Sequence, residues 1–449
     1  MTATERETVL DYIDQASFLG WSALGRTPLI QLMWTFEDSI DGDILERFRV
    51  QLGYTLLGRL IRRSLVPFGR HCWVRGSDPG RSHFHPDILP PEQLVPWADL
   101  VRVGVIDPER GPGWQLDGVA LQGGGSALVL TAPHCLVDGI AILEAVADAI
   151  EGVDRIQHLP LAPARLHAQT FRHDLGVAIR SLAAIGVAVG ALIRSLCAMG
   201  SLSLPRRTRR HQRITRGGHG FEHPEVPFVC VGIRQSDWER RYLQLDGSST
   251  ALQAAMVAQL AVVTGRVDGA GAVSLVMPVS TRAKPDSRAN ALQWIRFPHT
   301  PQRSIGSLQP LSRRILRQLG ALKRERRWRE ALLGLSPYVP RAAIRWIESK
   351  IHGESSTVTV SNIGKLSACV VRPMCMSSQH ILIRFIEKLS TADLEHMGGT
   401  MYSNAWSIGG TQYLSFRVWQ PGTIESRAQL TSVVEEVLRD FELKPHVLI

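Results

Sequence analysis

Residues 119–139 read VALQGGGSALVLTAPHCLVDG, and the fold turns on how that stretch is parsed. Val119 to Leu121 and Ala127 to Thr131 are strand-forming runs separated by Gly123-Gly124-Gly125, a hairpin signal. From Gly139, the apolar residues Ile142, Leu143, Val146 and Ile150 recur at helical spacing and stop at Gly152. His134 is thereby expected at a strand end, where its backbone is held by a sheet while the ring projects into a cleft. A neutral imidazole titrates near working pH and can take a proton from an attacking alcohol or amine. Asp138, one turn on, need not touch His134 and is expected to fix the loop through an ion pair. Gly139 is expected to let the chain turn tightly into the helix. Cys135 follows His134 in extended backbone and so points the other way, a poor position for a nucleophile.

Working outward, both halves mix strands and helices. Ile30 to Phe36 predicts a strand, and Asp43 predicts the cap of a helix burying Ile44, Leu45 and Phe48. Ser248-Ser249-Thr250 predicts the start of a helix carrying Met256, Leu260 and Val263 and ending near Gly265. Val273 to Val279, Thr357 to Val360 and Tyr413 to Trp419 predict strands, and Thr423 a closing helix with Leu430, Val434 and Leu438 on one face. The expected division is an N-terminal lobe over residues 1–204, a basic linker at 205–220 and a C-terminal lobe over 221–449.

At 449 residues the chain is long enough for two large lobes, and 44% apolar against 20% charged residues is a globular balance. Six cysteines without a CxxC pair suggest reduced thiols. The polar, acidic start MTATERETVL carries no secretory pattern, so a cytoplasmic location is expected. Residues 175–204 are apolar, but their longest uncharged run, 181–193, is 13 residues, short of the roughly 20 that span a bilayer. A buried helix is the first reading there; a surface amphipathic helix, peripheral on the inner face of a membrane, is the second.

The net charge of +10 concentrates in Arg206, Arg207, Arg209, Arg210, Arg213 and Arg216 and again between Arg313 and Arg329. Such runs are either solvated faces or attractors of an anionic partner: a coenzyme A phosphate, an acidic carrier protein or a lipid surface. No nucleic-acid motif accompanies them. His71, His83, His85 and His134 lack metal-ligand spacing, so no metal is expected.

His134-x-x-x-Asp138-Gly139 resembles the HxxxDG signature of the chloramphenicol acetyltransferase-like acyltransferase superfamily, which includes nonribosomal-peptide condensation domains. Within it the chain looks most like the bacterial wax ester synthase/diacylglycerol acyltransferase branch and its polyketide-associated relatives. Tyr12-Ile13-Asp14-Gln15-Ala16-Ser17-Phe18-Leu19 resembles that branch's "LDxxFL" segment, and Met277-Pro278-Val279-Ser280-Thr281-Arg282 its "PVSxR" strand end. Asn290 stands where a "GN" pair is usual, and Thr359-Val360-Ser361-Asn362-Ile363-Gly364 resembles "SNxxG". The chain departs from the pattern at Pro133, where many members have a first histidine, at Ala289 before Asn290, and in the early position of Gly364.

The resemblance implies an α/β (α+β) fold: two lobes, each a mixed sheet flanked by helices, with a tunnel between them and His134 near its middle. It implies transfer of an acyl group from an acyl thioester to a hydroxyl, or less readily an amine, with His134 as general base. No cofactor is then permanently bound; acyl-CoA or a phosphopantetheine-linked acyl group is the co-substrate, and an acidic carrier protein is an expected partner. It further implies that Arg282 pairs with Asp138, with Asn290, Ser361 and Asn362 in accessory roles. The rival readings are a condensation-type catalyst joining carrier-bound substrates and a non-catalytic lipid- or partner-binding member.

Overall fold

A computed structural model describes residues 8–24, 28–101, 106–162, 168–200, 224–283, 286–302, 306–344 and 356–449. The expected linker at 205–220 lies outside the described residues. In chain order the strands are β1 (Leu29–Phe36), β2 (Arg59–Arg62), β3 (Cys72–Arg75), β4 (Gly80–Leu89), β5 (Trp114–Leu121), β6 (Ser126–Pro133) and β7 (Phe228–Arg234). They continue with β8 (Val273–Ser280), β9 (Leu292–His299), β10 (Thr357–Lys365), β11 (Ser378–Ile386), β12 (Thr400–Ile408), β13 (Thr411–Trp419) and β14 (Val447–Leu448). The helices that matter below are α1 (Tyr12–Leu24), α2 (Gly42–Leu52), α3 (Gly139–Glu151), α4 (Ala168–Gly200), α5 (Ser249–Val263), α6 (Gln309–Leu333) and α7 (Arg427–Asp440).

Two mixed sheets organise the chain. The first runs β11-β1-β6-β5-β4 and the second β14-β7-β13-β12-β10-β8-β9. The predicted glycine hairpin is the antiparallel pair β5–β6, with Gly123 and Gly124 both at positive φ, which the turn requires and a side chain would oppose. Every residue of β6 is buried, because the strand is central and covered on both faces. α2 packs against this sheet and α3 shares its apolar core; α5 and α7 pack against the second. The second sheet has an apolar core of its own, while the core of the first reaches across to Phe228, Cys230, Trp406 and Tyr413 of the second. This is the mixed two-lobed α/β arrangement expected from the sequence.

The lobes are not built from consecutive halves. β11, drawn from the range 221–449, pairs antiparallel with β1 along its length, from Leu29 opposite Ile386 to Thr35 opposite His380. The boundary expected from the basic stretch is amended accordingly. β1 would otherwise present an open edge of unpaired backbone groups, and β11 covers it.

Other departures have local causes. Asp41, not Asp43, caps α2, accepting from the Asp43 N–H. The closing helix starts at Arg427 rather than Thr423, because Ser426 and Gln429 form a reciprocal capping box there. α4 is a single helix of 33 residues, and the first reading of it as a buried element is corrected: one face docks while Ile179 and Leu182 are 59% and 57% exposed.

Candidate active site

His134 follows the last residue of β6 and is pinned through its main chain. Its N–H donates to the Pro28 carbonyl at 2.9 Å, and its carbonyl accepts from Asn290 Nδ2 at 2.9 Å. The ring is packed beside Phe385 of β11, centroids 5.2 Å apart. Burial holds the imidazole below its ordinary pKa; the Asp138 charge, a hydrogen bond to its own carbonyl and Asn290 oppose this without cancelling it.

Asp138 does not hydrogen-bond His134. It is fully buried, and Oδ1 caps α3 by accepting from the N–H groups of Ile140 (3.0 Å) and Ala141 (2.8 Å). Oδ2 accepts from Arg282 Nη2 at 2.8 Å and from the Ala291 N–H at 2.9 Å. Arg282, its side chain 4% exposed, also donates to the carbonyls of Arg288 and Ala289. The Asp138 N–H donates to the Ala289 carbonyl at 2.8 Å. One carboxylate thus orders the start of α3 and grips the β8–β9 connection of the other lobe. A buried charge of this kind is stable only when its lone pairs are filled, and here both oxygens have two donors.

Two more buried charges hold the same connection. Asp14 of α1 accepts from the Ala289 N–H (3.0 Å) and the Asn290 N–H (2.7 Å). Burial pushes its pKa up to about 7, Asp11 adds to that, and the two N–H donors and Arg59 pull against it. Arg59 donates to the carbonyls of Leu56, Leu136 and Ser287 and lies 4.2 Å over the Trp73 ring. Its burial draws the guanidinium down to about 10. Residue-level reading of the sequence assigned neither a role. Asp14 stood within the quoted N-terminal segment, which was its signal; Arg59 sits at a strand start with no local pattern around it.

Between the lobes these elements enclose a cavity of about 460 Å³ lined by His134 and Gly139. The wall from α1 is mainly apolar, with Ile13, Ala16, Gly20, Trp21 and Leu24. The wall from β10 and β12 is mainly polar, with Thr359, Ser361, Asn362, Tyr402 and Asn404. Trp294, 48% exposed, also lines it and so marks an opening to solvent. Gly139 has no left-handed backbone, which corrects the expected turn role, and a Cβ built on it would meet no protein atom within 4 Å. What a side chain there would occupy is cavity space beside His134.

Asn290, Ser361 and Asn362 all line the cavity. Asn362 also donates to Thr250 Oγ1 (3.1 Å) and accepts from the Gly364 N–H (2.9 Å), and the Ser361 carbonyl accepts from Gln253 Nε2 (3.1 Å). They brace the strand and present polar groups at once. Cys135 is fully buried, and burial pushes its thiol far up, which removes it as a nucleophile. Cys72, His173 and Asp174 come together, but the Asp174 oxygens receive Arg62 at 2.8 and 2.7 Å and the Leu65 N–H at 2.9 Å. A guanidinium already fills the place of a cation.

No protein-family model matches the sequence, and no curated protein matches it either. Solved structures do match in fold. The first condensation domain of the calcium-dependent antibiotic synthetase, in complex with a substrate analogue, is 14% identical with a TM-score of 0.58, covering 98% of this chain and 99% of its own. Polyketide synthase associated protein 5 from Mycobacterium tuberculosis is 16% identical at TM-score 0.53, covering 97% and 98%. A starter condensation domain of rhizomide synthetase is 13% identical at 0.55, covering 97% and 94%. The chain therefore shares the fold of these proteins over nearly its whole length. At these identities the likeness concerns the fold.

Proposed function

We propose that this protein is a transferase of the condensation type, moving an acyl group from a carrier-bound thioester to a hydroxyl or amine within the inter-lobe cavity. The observation that carries this reading is an imidazole that burial holds below its ordinary pKa, lining a cavity between two lobes whose walls differ in polarity. The acceptor gives its proton to the His134 imidazole as its oxygen or nitrogen attacks the thioester carbonyl carbon. A tetrahedral oxyanion forms, the C–S bond breaks, and the imidazolium returns the proton to the departing thiolate. The apolar α1 wall suits the acyl chain and the polar β10–β12 wall suits the acceptor.

Condensation domains and a polyketide synthase associated protein among the neighbours in fold favour a phosphopantetheine-linked donor over acyl-CoA. The net charge of +10 is complementary to an acidic carrier. The test supplies acyl-pantetheine and acyl-CoA thioesters with panels of alcohols and amines and follows thiol release. Acceptor-dependent release that collapses in His134→Ala supports the proposal. Binding of acyl thioester without turnover, unchanged in His134→Ala, overturns it in favour of a non-catalytic binding protein.

A further inference from the structure

α4 carries two faces, and only one is used. On the docked face, Asp174 holds Arg62 and the Leu65 N–H, and Val177 packs with Val9 and Cys72. On the other, Phe171, Leu175, Ile179, Leu182 and Val189 follow one another at steps of four, four, three and seven residues, which aligns them in a single stripe. They are 48%, 40%, 59%, 57% and 42% exposed.

Charge accompanies the stripe. Arg172 and Arg180 are exposed on α4 itself. α4 packs against α6, which has eight basic residues and two acidic ones, Glu325 and Glu330. Those acids pair with Arg329 and Arg326, so Arg313, Arg317 and Arg327 keep no acidic partner among the described residues. Phe68, in the β2–β3 connection that also makes the Leu65–Asp174 contact, is 64% exposed.

We propose that α4 is a membrane-docking helix that lies flat in the headgroup region of an anionic phospholipid bilayer, its apolar stripe inserted and the neighbouring arginines on the phosphates. By length and composition residues 168–190 are apolar enough to cross a membrane. Crossing would strip the Asp174–Arg62 pair from the protein face that holds it and place ions in hydrocarbon. Lying in the interface keeps that pair and buries only the free stripe. The arginine rim selects anionic lipid over a neutral surface. This goes beyond the acyl-transfer proposal and does not depend on it.

The test is sedimentation of the full chain, without substrates, with vesicles of phosphatidylcholine alone or mixed with phosphatidylglycerol. The protein is expected to pellet with the mixed vesicles and to be released by salt. Ile179→Glu with Leu182→Glu is expected to weaken partition at least about tenfold. Arg172→Glu with Arg180→Glu is expected to do so only for the anionic vesicles, and it decides the matter should the first variant fail to fold. Failure to pellet with either vesicle overturns the proposal. So does a dimer in solution that Ile179→Glu with Leu182→Glu dissociates, since a second copy then covers the stripe.

Discussion

At His134 desolvation and charge pull in opposite directions, and desolvation wins, so the ring stays neutral to a lower pH than a free histidine. The acidic limb of the rate profile in kcat/KM should therefore lie below pH 6.5, the base being lost only as pH falls through that lowered value. His134→Ala should cost roughly 10²–10⁴-fold in turnover with the melting temperature unchanged. Gly139 makes the complementary prediction. Gly139→Val adds atoms where the protein has none, so it should leave melting intact while reducing turnover sharply, measured with a long acyl donor. His71 gives a stability test. Burial lowers its pKa to about 4, so between pH 6.5 and 4 the unfolded chain takes up a proton that the folded chain refuses. Stability should fall across that window by up to a few kcal/mol and lose nothing more from this group below it. His71→Gln should flatten the slope in denaturant melts at stepped pH.

At the level of elements, what was legible in the sequence was local. The β5–β6 hairpin, the strand before His134 and the helix after it are set by residues within one or two turns of each other, and the pattern carries them. The pair Arg282–Asp138 came from the resemblance, since 144 positions separate the partners. Arg59 and β11 had no such help: a buried arginine bonded to distant carbonyls and a strand inserted into the other lobe's sheet leave no periodicity to read. α4 was misjudged because its docked and free faces are both apolar, so composition alone cannot say which is covered. The β8–β9 connection supplies the prediction at this scale. Arg282→Ala leaves the Asp138 carboxylate buried without its cation and should destabilise by about 3–5 kcal/mol. Turnover should fall with it, and Arg282→Lys should restore part of both, read by urea melts beside thiol release.

At the level of the molecule, a chain cut after residue 200 lacks β11, so its first sheet ends at an unprotected β1. Such a fragment should self-associate through that edge, whereas the full chain should not, a difference visible by light scattering. Co-expression of the two pieces should return a soluble species, since β11 then regains its place. The same strand has a mechanical consequence. β11 fastens the lobes at one point and the Asp14–Arg59–Asp138–Arg282 grip on residues 287–291 fastens them at another. The packing of α4 on α6 adds a third fastening well away from both, and three such places that do not share a line oppose rotation of one half on the other. Distances between labels placed on the two lobes should therefore stay nearly constant through turnover.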